Sequence, residues 1–234
     1  MVRKGWSVAI VLVSFLSAGP SLANGDLCTS SAFRDAFEAG LTAADSPIVS
    51  PRLMEFGETA IPCLEAILKS GGGNLGLAAC RENARGCRDW ALVVMGKIGT
   101  ARAKGDLLRF LRQGKDPVLR VTAATMLARD LRVAEARPIL QDLLRSENAY
   151  LRANAVLSLG WIGNRDDFDA MLEATLGLPV NQVTTGVRGL EILGDSRAIE
   201  PLEKLAATTS EGSTRAEIER TVSRLRAKTA ANVH

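Results

Sequence analysis

The sequence is short of the residues that many catalytic centres use. One histidine occurs in 234 residues, and it is the last, His234. A serine or cysteine nucleophile working with a positioned imidazole is therefore not expected. Aromatic residues make up only 4% of the chain, which disfavours a β-sandwich and suits helices packed at close range. No phosphate-binding loop is present, because Gly114-Lys115-Asp116 lacks the closing hydroxyl residue. The acidic group Asp166, Asp167 and Asp169 lacks the glycine and the distal glutamate of a calcium loop. It reads instead as acids that complement the dipole at a helix start. Neither a metal nor a cofactor is expected.

Long apolar runs are also missing. The run from Trp6 to Leu16 falls short of the ~20 residues a membrane-spanning helix needs, and Gly19-Pro20 would break any extension of it. With basic Arg3 and Lys4 ahead of it and Ser21-Leu22-Ala23 behind, residues 1–23 read as a secretory signal peptide cleaved near Ala23. No cysteine stands directly after Ala23 to carry a lipid, so no stable membrane anchor is expected after cleavage. The mature chain would be periplasmic or secreted. Cleavage removes two basic residues and no acidic ones, leaving 27 basic against 26 acidic. General affinity for polyanions is not implied by so even a balance, and a nucleic-acid partner is not expected. Local charge is uneven: from Arg102 to Arg137 there are nine basic and four acidic residues, and from Asp166 to Glu219 four basic and eleven acidic.

Cysteine is scarce and confined to one end. Cys28, Cys63, Cys80 and Cys87 all precede Arg88. Their spacing is not that of a zinc site, and an exported chain favours disulfides. Of the three pairings four cysteines allow, Cys80 with Cys87 would close a short polar loop. Cys28 with Cys63 would then tie the N-terminal helix to the first repeat.

What the sequence does contain is a repeat. Arg88, Arg120 and Arg152 stand 32 residues apart, as do Ala91, Ala123 and Ala155, and Met95, Leu127 and Leu159. A fourth copy lies at a step of 31, where Gly186, Leu190 and Gly194 match Ala155, Leu159 and Gly163. A period of this size predicts stacked helical hairpins. An N-terminal helix over Ser31–Leu41 and a short one over Arg52–Phe56, begun by Ser50-Pro51, precede a third over Thr59–Lys69. The glycine-rich stretch opening at Gly71 predicts an irregular, cysteine-bearing loop insert over residues 71–87. Asp116-Pro117 opens the first helix of the second clear unit. Gly160 and Gly163 frame a turn, whereas Arg129-Asp130-Leu131 stands where the second unit should have glycine, predicting a distorted or longer helix end. A final helix over residues 213–230, opened by a Thr214–Glu217 capping box, has one apolar stripe and would seal the array.

Asp116-Pro117-Val118-Leu119-Arg120 with Ala123 and Leu127 behind it resembles a HEAT repeat of the short bacterial type, the type seen in phycobilisome lyases. Leu151-Arg152, Ala155, Leu159-Gly160 and Ile162-Gly163 resemble it more closely. Leu193-Gly194-Asp195 through Pro201-Leu202 resembles the family's inter-helix turn and second helix, and Phe56-Gly57 through Leu64 a degenerate copy. The resemblance covers about residues 52–207. It implies an all-α, right-handed α-solenoid of about five HEAT-like helical hairpins with a C-terminal capping helix, forming one domain over residues 24–234. It also implies that second helices line a concave face.

Two rows recur at repeat spacing. The Arg88, Arg120, Arg152 ladder reads as structural, bonding to a neighbouring unit's carbonyls or to Asp89 and Asp116. A second row, Arg109, Gln141, Glu173 and Lys204, lies between inward leucines on second helices, with Arg112 and Arg145 beside it. These six residues are the predicted partner-binding surface. The expected function is a non-enzymatic scaffold that binds another protein. The alternative is an enzyme or enzyme-associated subunit related to the HEAT-like bilin lyases.

Overall fold

The computed structural model describes residues 24–42 and 51–231. The predicted signal peptide, Ser50 and His234 lie outside them. Every regular element among the described residues is helical. Helices α1 (Asn24–Thr29), α2 (Ser31–Thr42) and α3 (Pro51–Glu55) lead into α4 (Ile61–Ser70), α5 (Ala78–Glu82) and α6 (Ala84–Ile98). Then come α7 (Ala101–Gln113), α8 (Pro117–Thr125), α9 (Arg137–Leu143), α10 (Ala149–Ile162), α11 (Phe168–Leu176), α12 (Val180–Leu193), α13 (Ile199–Thr208) and α14 (Gly212–Ala231). The first helices α6, α8, α10 and α12 pack side by side in sequence, and α14 closes the row against α12 and α13. Each touches chiefly its neighbours, which is the contact pattern of a helical solenoid.

The repeat's apolar positions are the interior. Ala91, Ala123 and Ala155, with Met95, Leu127 and Leu159, are all buried. From the second helices Ile67, Leu107, Leu111, Leu140 and Leu202 meet them. Small residues let first helices approach closely. Gly160 of α10 lies against Gly189 of α12 so tightly that a Cβ on Gly160 would stand 2.4 Å from the Gly189 carbonyl oxygen.

Turns explain both the regular units and the odd one. Gly99, Gly163 and Gly194 end α6, α10 and α12 with φ of 64°, 78° and 72°, a left-handed conformation that glycine adopts without steric cost. The equivalent position in the second clear unit is Leu131. There α8 continues as one π-helical turn over Met126–Asp130, with the Leu131 amide donating to the Met126 carbonyl at 3.1 Å. The left-handed residue falls one place later, on Arg132 at φ 52°. The extra residue in that turn is how a chain without the glycine reaches the same reversal.

Three local expectations need correction. The stretch 71–87 is not an irregular loop, because α5 and the first turn of α6 occupy most of it. Asn83 makes this possible by breaking the helix and capping α6, its Oδ1 accepting from the Gly86 amide at 2.8 Å. The capping box at Thr214 is not formed. Helix α14 starts two residues earlier, and the Glu211 carboxylate accepts from the Ser213 and Thr214 hydroxyls at 2.8 and 2.9 Å. Glu217 instead pairs with Arg220. Nor do Asp166, Asp167 and Asp169 share one dipole-complementing role, since the Asn164 side chain makes the cap and Asp167 turns inward.

The structure pairs Cys28 with Cys63 and Cys80 with Cys87. The first bridge joins α1 to α4 and the second α5 to α6. With sequence separations of 35 and 7 between partners, the chain-entropy model gives about 4 and about 2 kcal/mol of stabilisation.

The two glycine environments in the array predict opposite outcomes. In Gly160→Ala the new methyl meets backbone that cannot move aside, so the melting temperature should fall by several degrees, at about 2–4 °C per kcal/mol for a chain of this size. Gly105, on α7, would place a Cβ in open space, so Gly105→Ala should raise it by the roughly 0.5–1 kcal/mol that alanine gains in a helix. Thermal melts of the two variants check the pair.

Candidate functional site

The arginine ladder is spent on the fold. Arg88 Nε donates to the Leu68 carbonyl at 3.1 Å, and Arg120 Nε to Leu111 at 2.9 Å. Arg152 donates to Ser146 and Glu147 at 2.7 and 3.0 Å. Each thus meets free carbonyls at or just past the end of a second helix, where a cation also complements the dipole. The chemistry continues past the recognised repeats: Arg215 of α14 donates to Thr209 at 3.0 Å. Helix α12 carries no matching arginine, and Arg152 reaches forward to Gly177 at 3.4 Å, just past the end of α11.

The second helices are spaced differently. Grooves open between members of this row, and five of the six predicted binding residues distribute among three of them. Between α9 and α11 a groove of about 520 Å³ is lined by Gln141, Arg145 and Glu173, with Arg152 at its edge. Between α11 and α13 one of about 470 Å³ is lined by Lys204 and by Leu176, which is 46% exposed. Between α4 and α7 a pocket of about 250 Å³ is lined by Arg109. Arg112 is exposed on α7 and lines none of these three.

The six differ in how far the fold has committed them. Gln141 Nε2 donates at 2.6 Å to Asp167, which is 2% exposed and also takes a two-pronged bond from Arg137 at 2.8 and 3.0 Å. Its amide therefore belongs to a buried network. Lys204 pairs with Glu200 at 2.6 Å on the same helix. Arg109 pairs with Asp106. Arg112, Arg145 and Glu173 have exposed side chains with no hydrogen bond or ion pair among the described residues. Of the six, these three are the uncommitted charges; Asp142, in the same groove as Arg145 and Glu173, is likewise exposed.

Asp106 was not visible from the sequence as a site residue. It lines the α4–α7 pocket, is 7% exposed, and its Oδ2 has no hydrogen-bond donor among the described residues. Glu65 of α4 lines the same pocket beside it. Burial, then the hydrogen bond and repulsion of Glu65, push the Asp106 carboxyl up from the ordinary aspartate value, outweighing Arg109 and Arg102. Burial also works to raise Glu65. The hydrogen bond to Asp106 and the guanidiniums of Arg102 and Arg109 outweigh it and hold Glu65 below its ordinary value. Arg102 reaches both Glu65 oxygens at 3.3 Å. One proton shared by two carboxyls, retained on Asp106, is the chemistry such a pair supports. The remaining lining comprises Leu68, Lys69, Phe110, Gln113 and Gly114, without a serine, cysteine or histidine. Among the described residues, no group of three or more His, Cys, Asp or Glu is placed to hold a metal ion, and no helix is long and apolar enough to cross a membrane.

The raised Asp106 value has a stability consequence of defined sign. Stability gained from binding this proton is whole below the unfolded value near 3.8 and is lost as pH rises through the higher folded value. Asp106→Asn keeps the shape and removes the titration. The melting temperature of the variant minus that of the parent should therefore climb as pH rises from about 4 toward neutrality. A flat difference across that range would contradict the shared proton.

Residues 105–186 match the family model described as HEAT repeats. The match covers the units that carry the clearest period and does not single out the bilin-lyase group. No curated protein matches the chain.

Proposed function

We propose, from the premise that this chain carries HEAT repeats over residues 105–186, that it is an exported, non-enzymatic scaffold. Its partner is another protein, docked along the face of the second helices. The observation that carries this reading is the unequal use of charge on the two rows. Arginines of the first helices are tied to carbonyls inside the array. Arg112 and Glu173 on second helices, and Arg145 just past the end of α9, keep exposed, unpaired ends, and two of the three line an open groove of about 520 Å³. Exposed charge beside a groove on a rigid frame costs little to leave in water, and a complementary partner can pair with it on docking.

Export is supported by the two cystines, since disulfides persist in oxidising compartments, and by the pattern of residues 1–23. Arg112 lies in the basic part of the chain and Glu173 in the acidic part, with Arg145 between them, which favours a partner carrying both signs in the opposite order. The enzyme alternative draws on the Glu65–Asp106 pair, two carboxyls that share a pocket and shift each other's titration. The pocket's lining includes no serine, cysteine or histidine, and two carboxyls beside apolar walls have a simpler use in receiving a cation.

Replacing Arg112, Arg145 and Glu173 together with alanine should cut capture of the partner from a periplasmic extract by about tenfold or more, with the melting temperature within ~2 °C of the parent, because exposed unpaired charges contribute little to folding. Gln141→Ala should do the reverse. It removes a donor from buried Asp167 and should lower the melting temperature by about 2–4 °C, for a loss of ~1 kcal/mol. Undiminished capture by the triple variant would end the assignment of this face.

A further inference from the structure

We infer that the pocket between α4 and α7 receives a lysine side chain of the partner polypeptide, one flanked by acidic residues, with its ammonium donating to Asp106 and Glu65. This rests on the scaffold reading and gives it a recognition chemistry. The starting point is an unmet need. Asp106 is 7% exposed and its Oδ2 has no donor among the described residues, and a buried acceptor left without one costs free energy. Arg109 pairs with the other oxygen, Oδ1, while its own side chain remains 61% exposed. The guanidinium therefore sits toward the rim and leaves Oδ2 to something else.

Shape and polarity narrow what that something is. The pocket holds about 250 Å³ and is walled by Leu68 and Phe110. That is room for one side chain rather than a large ligand. Apolar walls ending in a carboxylate suit a long alkyl stem with a cationic tip, and lysine buries its stem in this way while its ammonium finds polar partners. An uncharged donor would satisfy Oδ2, but a charged one makes the stronger hydrogen bond to a carboxylate.

The rim selects the neighbours. Lys69 and Arg109 are both exposed lining residues, and Arg102 stands on the far side of Glu65. These cations would repel a lysine presented in a basic segment and favour one between acids, whose carboxylates can pair with Lys69 and Arg109. A proton on Asp106 and the lysine ammonium compete for the same oxygen, and the raised Asp106 value strengthens the proton's side of that competition. Affinity should then fall as the solution is acidified toward the range where the pair holds its proton.

Two blocked peptides test this against the whole chain by titration calorimetry. One has a single lysine with two acidic residues on each side, and the other has norleucine in its place. The lysine peptide should bind about tenfold or more tightly than the norleucine peptide near pH 7, the range expected for hydrogen bonds to a charged group. That ratio should shrink toward unity near pH 4 and in Asp106→Asn. Should Asp106→Asn melt early, Glu65→Gln carries the same comparison. Equal binding of the two peptides would overturn the lysine pocket and leave the second-helix face standing, as would a ratio untouched by either substitution. Failure of both peptides to bind would also overturn the pocket, while the partner-capture measurement judges the face independently.

Discussion

At four junctions an arginine on a first helix, or on α14, takes up the last carbonyls of a second helix packed beside it. Arg88, Arg120, Arg152 and Arg215 do this for the ends of α4, α7, α9 and α13. A helix end leaves several carbonyls unsatisfied, and in a stacked array those ends lie against the next unit rather than in bulk water. A guanidinium meets several of them at once and places positive charge at the negative pole of the helix. The interaction ties one unit to the next in a fixed register, because the arginine's reach and the helix length must agree. It also holds Arg88, Arg120 and Arg152 partly buried, while Arg215 stays exposed.

Much of the fold was legible because it repeats. Positions such as Ala91, Ala123 and Ala155 point inward in every copy, and a period of 32 exposes them without any structural knowledge. What failed to repeat was harder to read. Leu131 replaces a turn glycine, and sequence alone registered only a distortion. The structure resolves it as a π-helical turn with the left-handed residue moved to Arg132. The stretch 71–87 read as loop because its glycines come first, yet Asn83 restarts a helix inside it. Arg215 was missed as a rung because α14 lies beyond the recognised units.

The candidate site was legible only in part, and for a related reason. The row Arg109, Gln141, Glu173 and Lys204 was visible by spacing, but spacing cannot tell a free charge from a committed one. Asp167 decides Gln141's role, and nothing near Gln141 in sequence announces it. Asp106 and Glu65 sit on consecutive second helices but 41 residues apart. The segment carrying Cys80 and Cys87 lengthens the unit between them, so a search at the repeat spacing passes over the pair.

The two rows of helices also differ in what separates them, and this gives the array somewhere to bind. Interaxial distance depends on the size of the side chains at the contact. First helices α10 and α12 meet through glycine, Gly160 against Gly189, and their backbones touch. Second helices meet through larger groups such as Leu68, Phe110 and Leu205, and the space between them stays open. A hairpin stack that closes on one row and gapes on the other has its inter-unit contacts satisfied on the first and unfilled on the second. The buried Asp106 oxygen without a donor and the half-exposed Leu176 are polar and apolar forms of the same incompleteness. Both lie on the gaping side, and a docked polypeptide would supply a donor to the one and apolar cover to the other.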